Sequence, residues 1–222
     1  MASRAQRRSP SPHRLGVLIS GRGSNLLAIL DRIERGELDA AVALVICNVP
    51  GAPGVAAARA RGVETLVLDH RRSPTREEHD RLMAEALERH GVQLVCLGGY
   101  MRLLSAEFVR RFEGRILNIH PSLLPAFPGM QAQKDALEHG VKISGCTVHF
   151  VDEGLDSGPI VLQEAVPVED GDTWETLTLR ILEKEHETYS RAIALFFSGR
   201  LRLAGRRVLG AGAPPRGPRR AR

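Results

Sequence analysis

The chain has 222 residues, 31 of them Lys or Arg against 26 Asp or Glu, for a formal net charge of +5 and a pI near 9.6. That length suits one domain of ~100–200 residues with tails; the 43% apolar fraction excludes a wholly disordered chain, and no apolar run reaches the ~18 residues that span a bilayer. Three scattered cysteines (Cys47, Cys96, Cys146), with no CxxC, argue against a disulfide framework or a cysteine zinc site and fit a reducing, cytoplasmic compartment.

Residues 1–14 are rich in Ser, Pro and Arg, with Arg4, Arg7, Arg8 and Arg14, no acid and no apolar h-region; they read as a disordered basic tail, not a secretory signal. Residues 15–20 form a short apolar run, predicted as a buried strand. Residues 24–35 place Leu26, Leu27, Ile29, Leu30 and Ile33 at helical spacing. A strand over 41–47, a helix over 54–61, a strand over 63–68 and a helix over 75–90 follow. Next come a strand over 92–97, a short helix over 105–112 and a strand over 116–120. Apolar strands alternating with amphipathic helices predict an α/β fold: a doubly wound, Rossmann-like, mostly parallel sheet with helices on both faces.

The second half changes character. A helix is expected over 131–139, then strands over 145–151 and 160–166. The loop between these strands is too short for a helical crossover, which predicts an antiparallel pair. A long helix over 173–197 closes the body. Residues 205–222 have too few apolar groups to pack and read as a second disordered tail, leaving 15–204 as the folded domain. Residues 199–222 hold eight arginines and no acid. Residues 15–198 therefore carry all 26 acidic groups against 19 basic ones, a net of −7. The basic excess lies in the ends, which have no interleaved aromatics and no recognisable nucleic-acid motif. Nucleic-acid binding through the tails is the alternative class; it would weaken steeply with salt. Otherwise no nucleic acid and no membrane is expected as a partner, and removing 1–14 and 205–222 is expected to leave catalysis intact.

Gly21, Gly23, Ser24 and Asn25 lie between the first strand and the first helix, where glycines let a backbone approach an anion and helix N–H groups favour negative charge. A dinucleotide fingerprint would need Gly or Ala at position 26, which is Leu26, and a Walker loop would need a Lys, absent before Lys134. NAD and ATP are thus disfavoured, leaving a phosphate monoester on Gly23, Ser24 and Asn25. A tight turn with Ser24 capping the helix fits this loop equally well.

Asn118 and His120 share one face of the strand that ends at Pro121, because strand side chains alternate with period two. Two polar groups at the carboxyl end of an apolar strand suit chemistry: an amide donor and a protonated imidazole could stabilise an oxyanion. Asp156 lies in the loop between the two late strands. A carboxylate near His120 would stabilise its protonated form and fix its orientation.

The segments LISGRGSNL, LGGYMRLLS, ILNIHPSLLPAFPG and TVHFVDEGLDSGPIVLQEAVPV, at constant spacing over about residues 15–203, resemble the folate-dependent formyltransferases, and among them the glycinamide ribonucleotide group. The resemblance implies formyl transfer from 10-formyltetrahydrofolate, as co-substrate, to the amine of glycinamide ribonucleotide, without metal, ATP or NAD, by a monomer or homodimer. It implies that Asn118, His120 and Asp156 are catalytic, with Asp156 relaying a proton through water, and that Gly23, Ser24, Asn25 and Glu185 bind the ribonucleotide. Arg76, Met101, Arg102, Leu103, Leu104, Asn118, Asp152 and Glu153 would bind the folate. Some relatives carry His where this chain has Gln131 and Gln133, which cannot titrate near neutral pH. His149 suits either shaping the active site or a structural role. A formyltetrahydrofolate hydrolase, with water as acceptor, is the sibling alternative; it and a tRNA formyltransferase would be expected to carry an extra domain.

Overall fold

The computed structural model describes residues 12–212. The chain runs β1 (His13–Ile19), α1 (Ser24–Glu34), β2 (Ala40–Cys47), α2 (Pro53–Ala60), β3 (Thr65–Val67), α3 (Arg76–Arg89), β4 (Leu94–Leu97), α4 (Ala106–Arg111) and β5 (Ile116–His120). It continues through α5 (Ala132–Glu138), β6 (Ile143–Phe150), β7 (Ile160–Pro167), α6 (Trp174–Phe197), β8 (Arg202–Ala204) and β9 (Arg207–Leu209). The strands form one sheet in the order β3-β2-β1-β4-β5-β6-β7-β9-β8. β3, β2, β1, β4 and β5 are mutually parallel; β6 is antiparallel to β7, as the short loop between them predicts, and also to β5, which the sequence reading did not anticipate.

The apolar strands are buried on both faces because helices cover both. Leu15, Val17 and Ile19 of β1 pack with Leu26 and Ile29 of α1 and Ile181 of α6, whereas Leu18 packs with Met83 and Leu87 of α3 and with Phe108 and Phe112 of α4. Gly16 is required on the α3 side: a Cβ there would lie 2.4 Å from Leu87 Cδ2. Local signals set the helix starts. Pro53 opens α2, Thr75 accepts the Glu78 N–H at α3, and Thr173 with Thr176 forms a capping box at α6. The sheet order reverses between β1 and β4, so the loops that follow these strands part and leave a crevice at their carboxyl ends.

Both expected tails are shorter than the sequence suggested. His13 and Arg14 already pair with β2, and residues 202–209, read in part as a tail, fold into the β8–β9 hairpin. β9 joins β7 at Ile160 and Arg207, while Val208 packs on the apolar core. A cut at 205 would therefore remove β9 from the sheet, so the expected boundary at 205 falls within folded structure. The remaining parts of both expected tails, 1–11 and 213–222, lie outside the described residues. Among the described residues no helix is long and apolar enough to cross a membrane.

Candidate active site

β1 hands over to α1 through a loop whose backbone is closely packed. Gly23 has φ 71°, a conformation that glycine adopts without steric cost, and a Cβ on it would lie 3.3 Å from Gly54 Cα. The Gly54 N–H donates to the Gly21 carbonyl at 3.1 Å. The helix starts on Gly23 with no side-chain cap, so the alternative in which Ser24 caps it is not observed. The first-turn N–H groups thus have no side-chain cap at the positive end of the helix dipole.

Asn25 is buried, and its Nδ2 donates to Glu185 Oε2 at 2.9 Å, while its Oδ1 is buried without a partner among the described residues. Burial pushes the Glu185 carboxyl up to about 7, against the opposing hydrogen bond from Asn25. The folded protein holds this proton between about 4.5, the ordinary value, and about 7, while the unfolded chain releases it. Stability therefore falls as pH rises through that window. Thermal unfolding should show the melting temperature of the wild type dropping more than that of Glu185→Gln between about pH 5 and pH 7.5; parallel curves would contradict the assignment.

The carboxyl end of β5 meets β6 in antiparallel register, with Asn118 opposite His149 and His120 opposite Thr147. Asp156 reaches this pair from the β6–β7 loop, held at φ 48°, a region that Asp tolerates better than most residues. Its Oδ2 lies 3.4 Å from His120 Nδ1 and accepts the Gly129 N–H at 2.8 Å. Its Oδ1 lies 3.4 Å from Asn118 Nδ2 and 3.7 Å from His149 Nε2. Hydrogen bonding defines the protonation pattern. His120 Nε2 donates to the Phe127 carbonyl at 2.8 Å, because that oxygen only accepts, and its Nδ1 faces Asp156 Oδ2 at 3.4 Å. His149 Nδ1 donates to the Phe150 carbonyl at 2.8 Å, and burial pushes its ring toward the neutral form, making Nε2 an acceptor. The Asn118 atom 3.2 Å away must then be the amide nitrogen. One N–H of Asn118 is fixed by His149; the other has only the long contact to Asp156.

This cluster opens into a cavity of about 250 Å³. Met101, Arg102, Leu103 and Leu104 line one wall, Asp152, Glu153 and Asp156 another, with Asn118, His120 and His149 at its base. The two walls are built differently. Residues 101–104 contain no helix or strand, and the Met101 N–H donates to Ser20 Oγ at 2.9 Å, tying the cavity to the β1–α1 loop. The acidic wall is a compact loop in which Asp152 Oδ1 accepts from Ser157 Oγ at 2.6 Å and from the Gly154 N–H at 3.1 Å. Glu153 pairs with Arg110 at 3.0 Å. A Cβ on Gly158 would lie 1.8 Å from the Phe150 carbonyl oxygen, so Gly158→Ala must displace backbone at the base of this loop. Urea unfolding should show it destabilised by about 3 kcal/mol, the upper end of ordinary overpacking costs; a change below about 0.5 kcal/mol would show that the loop can shift freely.

Two expectations are placed elsewhere. Arg76 is exposed at the start of α3 beside Glu77 and does not line the cavity. Gln131 and Gln133 sit at the start of α5, also outside the lining, where Met130 stands instead. Nothing in the residue types pointed to the Phe127 carbonyl or the Gly129 N–H, because backbone groups carry no residue-type signal.

The sequence profile described as "Formyl transferase" matches residues 13–193. The chain is 42% identical over 187 residues to a protein of Escherichia coli named phosphoribosylglycinamide formyltransferase, covering 84% of this chain and 88% of that one. It is 48% identical over 203 residues to the trifunctional purine biosynthetic protein adenosine-3 of Drosophila pseudoobscura pseudoobscura, covering 90% of this chain but only 15% of that much longer relative. A crystal structure of glycinamide ribonucleotide transformylase 1 from Symbiobacterium toebii superposes with a TM-score of 0.88 at 53% identity, covering 93% of this chain and 98% of that one.

Proposed function

The chain belongs to the formyl transferase family, and we propose that it moves the formyl group of 10-formyltetrahydrofolate to the amine of glycinamide ribonucleotide, giving formylglycinamide ribonucleotide and tetrahydrofolate in purine biosynthesis. One observation carries the reading at the level of the site. An amide, an imidazole and a carboxylate converge at the base of a largely apolar cavity, and the wall of that cavity is tied to the loop before an uncapped helix N-terminus.

The two substrates divide the crevice. The ribonucleotide phosphate takes the N–H groups of Gly23, Ser24 and Asn25, and the orphaned Asn25 Oδ1 with Glu185 offers acceptors to the rest of that molecule. The flat ring of the folate lies between the 101–104 segment and the acidic loop, with its formyl group at Asn118 and His120. As the amine attacks the formyl carbon, negative charge develops on the carbonyl oxygen. The second Asn118 N–H stabilises it, as does His120 once its Nε2 exchanges the Phe127 carbonyl for the substrate. Asp156 holds the imidazolium and relays, through water, the proton that the amine loses and the departing folate nitrogen gains. The reaction requires no metal and no nucleotide triphosphate; the setting is the cytoplasm, and the active species a monomer or homodimer.

The acceptor is the test. Tetrahydrofolate should appear only when glycinamide ribonucleotide is present, in equal amount with formylated ribonucleotide. Release at the same rate without the ribonucleotide would make water the acceptor and overturn the proposal.

A further inference from the structure

The mechanism leaves a buried carboxylate unused. Asp80, in the second turn of α3, is 1% exposed, and its Oδ2 accepts the backbone N–H of Ser105 at 2.5 Å. Ser105 is itself the cap of α4, its Oγ accepting the Phe108 N–H. At the other end of the irregular segment, the Tyr100 hydroxyl lies 3.4 Å from Nε2 of His79, the neighbour of Asp80 on α3. Both residues are buried, whereas Met101 and Leu103 between them are exposed to the cavity. Asp80 is also within electrostatic reach of Arg102, whose Nε is buried with no hydrogen-bond partner among the described residues.

A segment without its own ladder hydrogen bonds depends on outside partners for its shape. Here one end is held by a charge-assisted hydrogen bond to α3, and such bonds are the strong ones. We propose that Asp80 is a positioning residue that presents the 101–104 wall to the folate, setting affinity for the co-substrate without touching it or the reacting atoms. The inference rests on the folate reading of the cavity given above.

Steady-state kinetics of the full chain, varying each substrate in turn, tests it. Asp80→Ala leaves the Ser105 N–H buried and unpaired. We expect its KM for 10-formyltetrahydrofolate to rise at least ~10-fold, with kcat and the ribonucleotide KM each within about threefold of wild type. Asp80→Asn keeps an acceptor oxygen for Ser105 and should restore most of the folate KM. Tyr100→Phe removes only the hydroxyl at the other end, keeps the fold, and should raise the folate KM about fivefold with kcat and the ribonucleotide KM within about twofold; it carries the test if Asp80→Ala does not fold. An unchanged folate KM in Asp80→Ala, or in Tyr100→Phe where that variant stands alone, would overturn the inference. So would an equal rise in both KM values, or Asn behaving no better than Ala. A wild type that makes no formylated ribonucleotide would instead fail the functional reading itself.

Discussion

His120→Ala should lower kcat by ~10²–10³ while leaving both KM values within a few-fold of wild type. The side chain is 4% exposed, and its two ring nitrogens face the Phe127 carbonyl and Asp156. On the proposed mechanism it therefore contributes little surface to ground-state binding and a proton donor where the carbonyl oxygen becomes negative. An interaction made mainly in the transition state appears in kcat, whereas uniform binding appears in KM. Rapid-mixing single-turnover measurements separate the chemical step from product release. An unchanged single-turnover rate in His120→Ala would remove the centre of the mechanism.

Asp156→Asn should cost a comparable ~10²-fold or more in kcat, and it is the more informative change at that position. Asn tolerates the left-handed backbone found there and keeps an oxygen for the Gly129 N–H, so the loop retains its shape. What it removes is the negative charge 3.4 Å from His120 Nδ1. The imidazolium then loses its counter-ion, and the amide is a poor proton relay. Asp156→Ala would add loop disorder to this loss and raise KM as well. Should Asn match the wild type in kcat, geometry rather than charge would be the contribution of Asp156.

How much of this was legible beforehand depends on the physics each element uses. The parallel half was readable because strands buried on both faces must be continuously apolar, as residues 15–19 are. The pairing of Asn118 with His120 was readable because it needs only the period of a strand. Their meeting with Asp156 and His149 was not readable from spacing, because it depends on the β5–β6 register and on a positive φ at Asp156. Glu185 was named through the resemblance alone; its burial follows from helical period, since it lies four residues from Ile181 and from Tyr189 on the buried stripe of α6. The β8–β9 hairpin escaped because its strands are three residues each and arginine-rich, with apolar contact concentrated at Val208. Arg76, expected at the folate through resemblance alone, is exposed outside the cavity lining.

The +5 of the whole chain is not the charge of the site. The start of α1, a buried Asn25–Glu185 pair and the His120–Asp156 contact lie within residues 15–198, which carry a net of −7. A crystal structure with glycinamide ribonucleotide bound is the decisive measurement. The phosphate is expected on the N–H groups of Gly23, Ser24 and Asn25, with the amine directed to the cavity base at Asn118 and His120. A ribonucleotide whose phosphate lies elsewhere, or whose amine points away from His120, would contradict the proposed function.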